Sequence, residues 1–409
     1  MNTPYINQEI KTEQYISSDP YALNVSREAH IEDVLINGKS ARALGVIIIV
    51  LFVGILLSFL VNFGVSTYLG SEELVDDYFD GEDHSNIILS DFADTFYLSK
   101  KIRNNIIKVD YYLFERLPTS DVLLGDSEFL FPTSDEKNSY SYVADYLGEL
   151  EPKGSELDLY LDGINMLTKE YKKYGAGVYF VIIPNSQTVY PEKLPNYMGE
   201  ISEYTRLKST TRYLKKRGVT NYLDLTDALI AAKGEGELYN NTEDSLNSRG
   251  AYYAYLAILE MLPKSVLEEI TPLGLKSDDL VHHTSTGKEL AKLASLESEI
   301  KNRTVSLSTD FIQKYEILLR FEEYDMAYPK MQYQNDLPSD PRIQFQFSDE
   351  WDRIIMTDFF SNTFGRTIYR TSTDFNAAVL TKADPEYVIC FIHEKELAKL
   401  GDGSMMPNN

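Results

Sequence analysis

Cysteine occurs once in the 409 residues, at Cys390, so no intrachain disulfide can form. The fold must stand on its own core, unlike a small disulfide-stapled extracellular module. Histidine is scarce as well, at five residues, of which His84, His282, His283 and His393 follow the one long apolar run. No Gly-rich phosphate loop occurs, which removes the nucleotide enzymes that depend on one. Metal-ligand spacing is missing too. His282-His283 beside Asp278 and Asp279 has no second ligand cluster, so neither a metal nor any other cofactor is expected. Positive charge is the minority sign, with 39 Lys and Arg against 63 Asp and Glu and a net charge of −24. That balance argues against nucleic acid or an anionic lipid surface as partner. No internal repeat and no low-complexity tract interrupts the chain.

What is present begins with residues 43–61, ALGVIIIVLFVGILLSFLV, an uncharged apolar run. At 1.5 Å per residue, about 20 such residues span a hydrocarbon core of about 30 Å. Lys39 and Arg42 precede the run, whereas Glu72, Glu73, Asp76, Asp77, Asp80, Glu82 and Asp83 follow it. The basic flank marks the cytoplasmic side. The expectation is a single-pass plasma-membrane protein: a cytoplasmic leader (1–42), a transmembrane helix (43–64) and an extracellular remainder. Some 42 mostly polar residues before the run fit an uncleaved anchor better than a signal peptide.

Beyond the anchor, 65–120 reads as an acidic spacer followed by an amphipathic stalk helix. Residues 121–400 alternate strand-like and helix-like segments, and 401–409 form a tail. DVLLG (121–125) and FLF (129–131) predict a strand or hairpin. LDLYLDGINMLTKEYKKYG (157–175) has helical period and ends on Gly175, a helix stop signal. VYFVIIP (178–184) is a continuous β-rich run of the kind buried on both faces. TRLKSTTRYLKKRG (205–218) predicts a helix leading into VTNYLDL (219–225), and GAYYAYLAILEML (250–262) predicts another helix. DRIIMTD (352–358) and PEYVICFI (385–392) are expected to be further buried strands. Helices between buried strands mean crossover units: an α/β fold with a mostly parallel sheet and helices on both faces. Tyr is abundant, at 30 residues, which suits half-buried sheet surfaces more than exposed sugar platforms.

In parallel sheets ligands bind beyond the carboxyl ends of the strands. Those ends are GDS (125–127), PNS (184–186), the turn after Leu225, TDFF (357–360) and HEKE (393–396), with the polar loop NNTEDSLNSRGAYYAY (240–255) between them. Four of these segments, in order, carry a family likeness. DVLLGDSEFLFP is similar to "V-x-G-K-D-G-W-L-F", and YFVIIPNSQTVYPEKLP to "V-x-P-x-K-x-x-I-Y-P-E-x-L-P". LYNNTEDSLNSRGAYYAY parallels "Y-x-x-D-T-H-W-N-x-x-G-A-Y-Y-A-Y". DRIIMTDFFSNTFG with PEYVICFIHEKEL is similar to "R-V-L-I-I-G-D-S-F" with "P-D-V-V-I…E-R-x-L". Together they resemble the SGNH-hydrolase-like proteins of the alginate O-acetylase type, AlgJ and AlgX, and their DHHW-motif relatives.

The resemblance implies a three-layer α/β/α SGNH-like domain and work on cell-envelope or secreted polysaccharide. A membrane-bound O-acyltransferase would be its partner. It also implies a Ser nucleophile and a His base two positions after an Asp. Registered on Asn247-x-x-Gly250-Ala251, the Asp falls on Glu243, the His on Ser245 and the Trp on Leu246. At the last motif Thr357 stands for Gly, Asp358 matches, and the nucleophile position holds Phe359. Without nucleophile and base no acyl-enzyme can form. The leading expectation is therefore a pseudoenzyme that binds glycan or organises a complex, with Asn185, Tyr190, Asn247, Asp358 and Glu394 around the cleft. A competing expectation is an active esterase or O-acetyltransferase. DLVHHTSTGKELA (279–291) is similar to the "D-x-x-H-P-T-x-x-G" block of ordinary SGNH esterases, giving Ser127 as nucleophile, His282 as base and Asp279 as its orienting acid. A third is a purely structural envelope protein.

Overall fold

The computed structural model describes residues 121–314, 318–320, 330–334 and 342–407, with Val53, residues 107–108 and 111–112, and Leu117 ahead of them. The expected leader, anchor (43–64) and most of the spacer lie outside the described residues. Among the described residues, no helix is long and apolar enough to cross a membrane. The chain divides into two compact units, Met1–Arg103 and Asn104–Asn409, and the second carries the fold that follows.

Its strands are β1 (Val122–Leu124), β2 (Leu130–Pro132), β3 (Ser134–Asp135), β4 (Tyr140–Ser141), β5 (Gly177–Ile183), β6 (Tyr222–Asp224) and β7 (Leu280–Thr286). They continue with β8 (Lys301–Leu307), β9 (Leu318–Arg320), β10 (Lys330–Gln334), β11 (Arg342–Phe347), β12 (Arg366–Arg370) and β13 (Tyr387–His393). Seven of them form one sheet in the order β6-β5-β13-β11-β12-β10-β9. From β6 to β12 the five neighbours are parallel. At the far edge β10 and β9 add on antiparallel. Hairpins β1-β2, β3-β4 and β7-β8 stand apart from it. The longer helices are α1 (Gly154–Lys173), α2 (Arg206–Lys216), α3 (Ser248–Met261), α4 (Glu350–Phe360) and α5 (Ala377–Ala383).

Side chains alternate across a strand, and both faces here are apolar, so two cores form. Val181, Ile183, Ile389, Phe391, Phe345 and Phe347 point to one face, into a cluster shared with α3 and α4. Phe180, Ile182, Val388, Cys390 and Ile392 point to the other, against α1 and α2. Burying each such side chain contributes about 1.5–3 kcal/mol. Capping residues set where the helices start. Thr205 accepts the Lys208 N–H ahead of α2, and Asn247 accepts those of Arg249 and Gly250 ahead of α3. Three layers result, as the sequence predicts.

One expectation fails. DRIIMTD (352–358) is not a buried strand but lies inside α4. Asp349 caps that helix by accepting the Trp351 N–H at 2.7 Å. Ile355, Met356, Phe359 and Phe360 then recur at helical spacing and enter the core beside α3. The strand occupying this place in the sheet is β11, Arg-Ile-Gln-Phe-Gln-Phe. Gln344 and Gln346 are fully buried there, and Gln346 Oε1 accepts from Tyr171 Oη at 3.0 Å and Cys390 Sγ at 3.1 Å.

The domain also exceeds its expected limits. Met405 is 1% exposed, and its carbonyl accepts the Phe375 N–H at 3.0 Å, so the expected tail is packed down. At the other end Ile107 joins Val122, Leu290 and Ile300 in a third apolar cluster, and Lys108 Nζ lies 2.7 Å from Glu299 Oε1.

Candidate functional site

The carboxyl edge of the parallel sheet gathers the turns after β5, β11 and β13. Asn185, just past β5, donates its backbone N–H to Glu394 Oε2 at 2.7 Å, and Thr188 Oγ1 donates to the same oxygen at 2.8 Å. Asn185 Nδ2 donates to Tyr140 Oη at 3.1 Å, and Tyr140 in turn donates to Asp145. Asp145 Oδ1 also accepts the Arg206 N–H at 2.6 Å. Burial, and after it the charge of Asp145, pushes the Glu394 carboxyl well above its ordinary range. Glu394 therefore binds the turns after β5 and β13 to each other.

His393 ends β13 on the same face as Phe391, toward α3 and α4. Its Nε2 lies 2.6 Å from Asp352 Oδ2, in the first turn of α4. Burial alone would lower the imidazole pKa, but the charge and hydrogen bond of Asp352 outweigh it, so the group is raised. Ser186 N–H donates to Asp244 Oδ1 at 2.8 Å, while Lys395 Nζ lies 3.2 Å from Asp135 Oδ2. Burial opposes the Lys395 charge, yet Asp244 and Asp135 raise its pKa overall. The edge is thus a dense set of paired charges and hydrogen bonds.

The 240–247 loop closes over this edge. Asn240 donates its N–H to the Ser245 carbonyl at 3.0 Å and its Nδ2 to Ser245 Oγ at 3.1 Å. Asn241 Oδ1 accepts the Arg303 N–H at 2.6 Å, and its carbonyl accepts the Leu130 N–H at 2.7 Å. Asn247 caps α3, and a Cβ on Gly250 would collide with the Leu238 carbonyl oxygen. The shared Asn-x-x-Gly spacing is therefore a structural requirement of this loop. Trp351 Nε1 donates to the Leu246 carbonyl at 3.0 Å, joining the loop to α4.

The residues singled out by sequence scatter. Asn185 and Glu394 meet at the edge, as just described. Tyr190 is buried, and its hydroxyl accepts the Leu238 N–H at 2.9 Å. Asn247 is buried as a cap. Asp358 sits eight residues into α4, about 12 Å along the axis from the strand end. Its carboxyl is pushed up to about 6 by burial.

Glu243 is half-buried and likewise raised by burial, and it lines an open groove of about 570 Å³ with Lys288, Glu289, Lys292 and Leu293. Phe359 is fully buried, its ring centroid 5.6 Å from that of Tyr255. Ser127 is exposed in a turn where both Ser127 and Glu128 take positive φ, 57° and 58°. Asp279 Oδ2 accepts the Lys276 N–H at 2.8 Å, and His282 Nε2 lies 3.5 Å from Arg249 Nη2. Among the described residues, no hydrogen bond joins Ser127, Asp279 and His282. Sequence reasoning missed Asp352, Asp244 and Trp351. Only the Asp349 cap before an apolar helical stripe could have exposed α4 and, with it, two of the three.

The model of the SGNH hydrolase-like domain of acetyltransferase AlgX matches residues 123–320. Three solved structures are similar at low identity. The O-acetyltransferase domain of Pseudomonas putida AlgJ is 16% identical with a TM-score of 0.40, over 68% of this chain and 92% of that one. Bacillus cereus PatB1 with a sulfonyl adduct is 12% identical with a TM-score of 0.47, over 69% and 99%. A DHHW family protein from Eubacterium siraeum is 13% identical with a TM-score of 0.46, over 71% and 97%. No curated protein matches the chain.

Proposed function

From the premise that residues 123–320 carry an SGNH hydrolase-like domain of the acetyltransferase AlgX type, we propose a membrane-anchored subunit that binds polysaccharide outside the cell. It keeps the fold and has given up acyl transfer. One observation carries the reading: neither position that should supply chemistry holds a competent group. Ser245 stands in the base position, where its hydroxyl oxygen accepts from Asn240 Nδ2. Once β11 is recognised as the strand before the nucleophile turn, the family's Gly-Asp-Ser registers on Ser348-Asp349-Glu350, with a carboxylic acid where the serine belongs. The apolar run at 43–61, with Lys39 and Arg42 before it, supports the anchor and the outward orientation. A membrane-bound O-acyltransferase is the partner this arrangement would serve.

The test uses the purified full-length chain. It should release no acetate from chromogenic acetyl esters, take no label from serine-directed phosphonates, and retain polysaccharide of its own envelope in a pull-down. Ester hydrolysis by the wild type defeats the reading. One feature favours the rival esterase: the exposed Ser127 turn, whose two successive left-handed residues are strained in a way active sites often are.

A further inference from the structure

The chain has a single tryptophan, and it stands on the edge described above. Trp351 follows the last residue of β11 by four positions, in the first turn of α4. Its backbone N–H is held by Asp349 Oδ1 at 2.7 Å, and its indole N–H by the Leu246 carbonyl at 3.0 Å. The ring is therefore pinned between the two segments that should carry nucleophile and base. It is nevertheless 42% exposed. Ile354, three positions on and adjacent on the helix surface, is 48% exposed.

An indole with its N–H satisfied and part of its surface open is prepared for a flat ligand with an apolar side. Among the described residues of α4, Trp351 and Ile354 are the exposed large apolar side chains. A stable protein interface buries about 800 Å² per partner, far more than this patch offers. A pyranose, with C–H bonds on one side and hydroxyls around the rim, matches it in size and polarity. The net charge of −24 favours a neutral or N-acetylated sugar over a uronate. We propose that Trp351 is the stacking platform of the glycan site, with Ile354 extending its apolar floor. This rests on the polysaccharide-binding reading and adds where the sugar lies and which class it belongs to.

Because Trp351 is the sole tryptophan, indole fluorescence of the full-length chain reports on this site alone. Chitotetraose, cellotetraose and tetramannuronate are titrated in, with emission and iodide quenching followed alongside calorimetry. Chitotetraose or cellotetraose should shift the emission saturably and shield Trp351 from iodide. Trp351→Ala should weaken the calorimetric affinity about tenfold, the loss of one stacking contact, while Trp351→Phe stays within about threefold. The Phe variant keeps a ring at the position, so an Ala variant that fails to fold does not decide the matter. Calorimetric binding without any change in Trp351 emission, or with full affinity in Trp351→Ala, overturns the platform alone. A preference for tetramannuronate overturns the sugar class. No heat from any of the three, nor from polysaccharide of the native envelope, overturns the polysaccharide reading itself. An emission shift that follows protein concentration without sugar, with dimers in sedimentation, gives the patch to a second copy and also overturns the proposal.

Discussion

His393 and Asp352 meet at 2.6 Å, Nε2 to Oδ2, with both side chains under a tenth exposed. The pair joins the end of β13 to the first turn of α4, two elements that strand pairing alone does not connect. Removing one partner of such a pair leaves the other buried and uncompensated, which is costlier than the pair's net contribution.

That contact should make stability pH-dependent, with a definite sign. The imidazole pKa in the folded state lies above its ordinary 6.5. The pair's stabilisation is therefore complete below about pH 6.5 and fades as pH rises through the raised folded value. His393→Gln should cost about 3 kcal/mol at pH 6 and distinctly less at pH 9, read by urea unfolding at the two pH values. An equal loss at both would mean that the imidazole is neutral throughout.

Asp358 should behave in the opposite sense. Burial lifts its carboxyl from 3.8 to about 6, so the fold resists its ionisation. Stability is lost as pH rises through that interval. Asp358→Asn should stabilise the protein by about 2 kcal/mol at pH 8 and leave it unchanged near pH 3. The same variant should bind glycan as the wild type does, because Asp358 lies well along α4 from the edge. Weaker binding with unchanged stability would return Asp358 to the cleft.

How legible the fold was depends on where polar residues fall. β5 and β13 were readable because VYFVIIP and YVICFI are apolar on both faces, which few other settings explain. β11 was not, because Gln344 and Gln346 alternate with its aromatics and imitate a half-exposed strand, although both are fully buried. With that strand missed, the apolar IIM of α4 took its place, and the nucleophile motif was registered nine residues beyond the proposed one, on Asp358 and Phe359 rather than Asp349 and Glu350. Asn185 and Glu394 could be placed at the sheet edge because they directly follow readable strands. Asp352 and Trp351 were not, since their role depends on a helix start that the misplaced strand concealed.

Topology is open to a direct measurement. Protease added to intact cells should digest the region after residue 66 and spare the first 40 residues, detected with tags at each terminus. The charge asymmetry around 43–61 sets this direction. Protection of the C-terminal region instead would reverse the orientation and remove extracellular polysaccharide as ligand.

The final prediction separates position from chemistry. Phe359→Ser should destroy stability rather than create an enzyme, because a large ring fully buried beside Tyr255 would give way to a small polar group. Such truncations cost about 3–5 kcal/mol. Ser245→His alone should be inert, since an imidazole without a hydroxyl to activate forms no acyl-enzyme. Glu350→Ser alone should be inert for the converse reason. Ser245→His with Glu350→Ser places base and nucleophile on the two segments that Trp351 and Leu246 already hold together. This double variant should hydrolyse a chromogenic acetyl ester measurably above the wild type, while each single variant stays at background. If neither the double variant nor its Glu243→Asp derivative gains activity, the register on Ser348-Asp349-Glu350 is wrong. If the wild type is already active, and Ser127→Ala and His282→Ala each abolish it, the exposed Ser127 turn is the catalytic site and the pseudoenzyme reading falls.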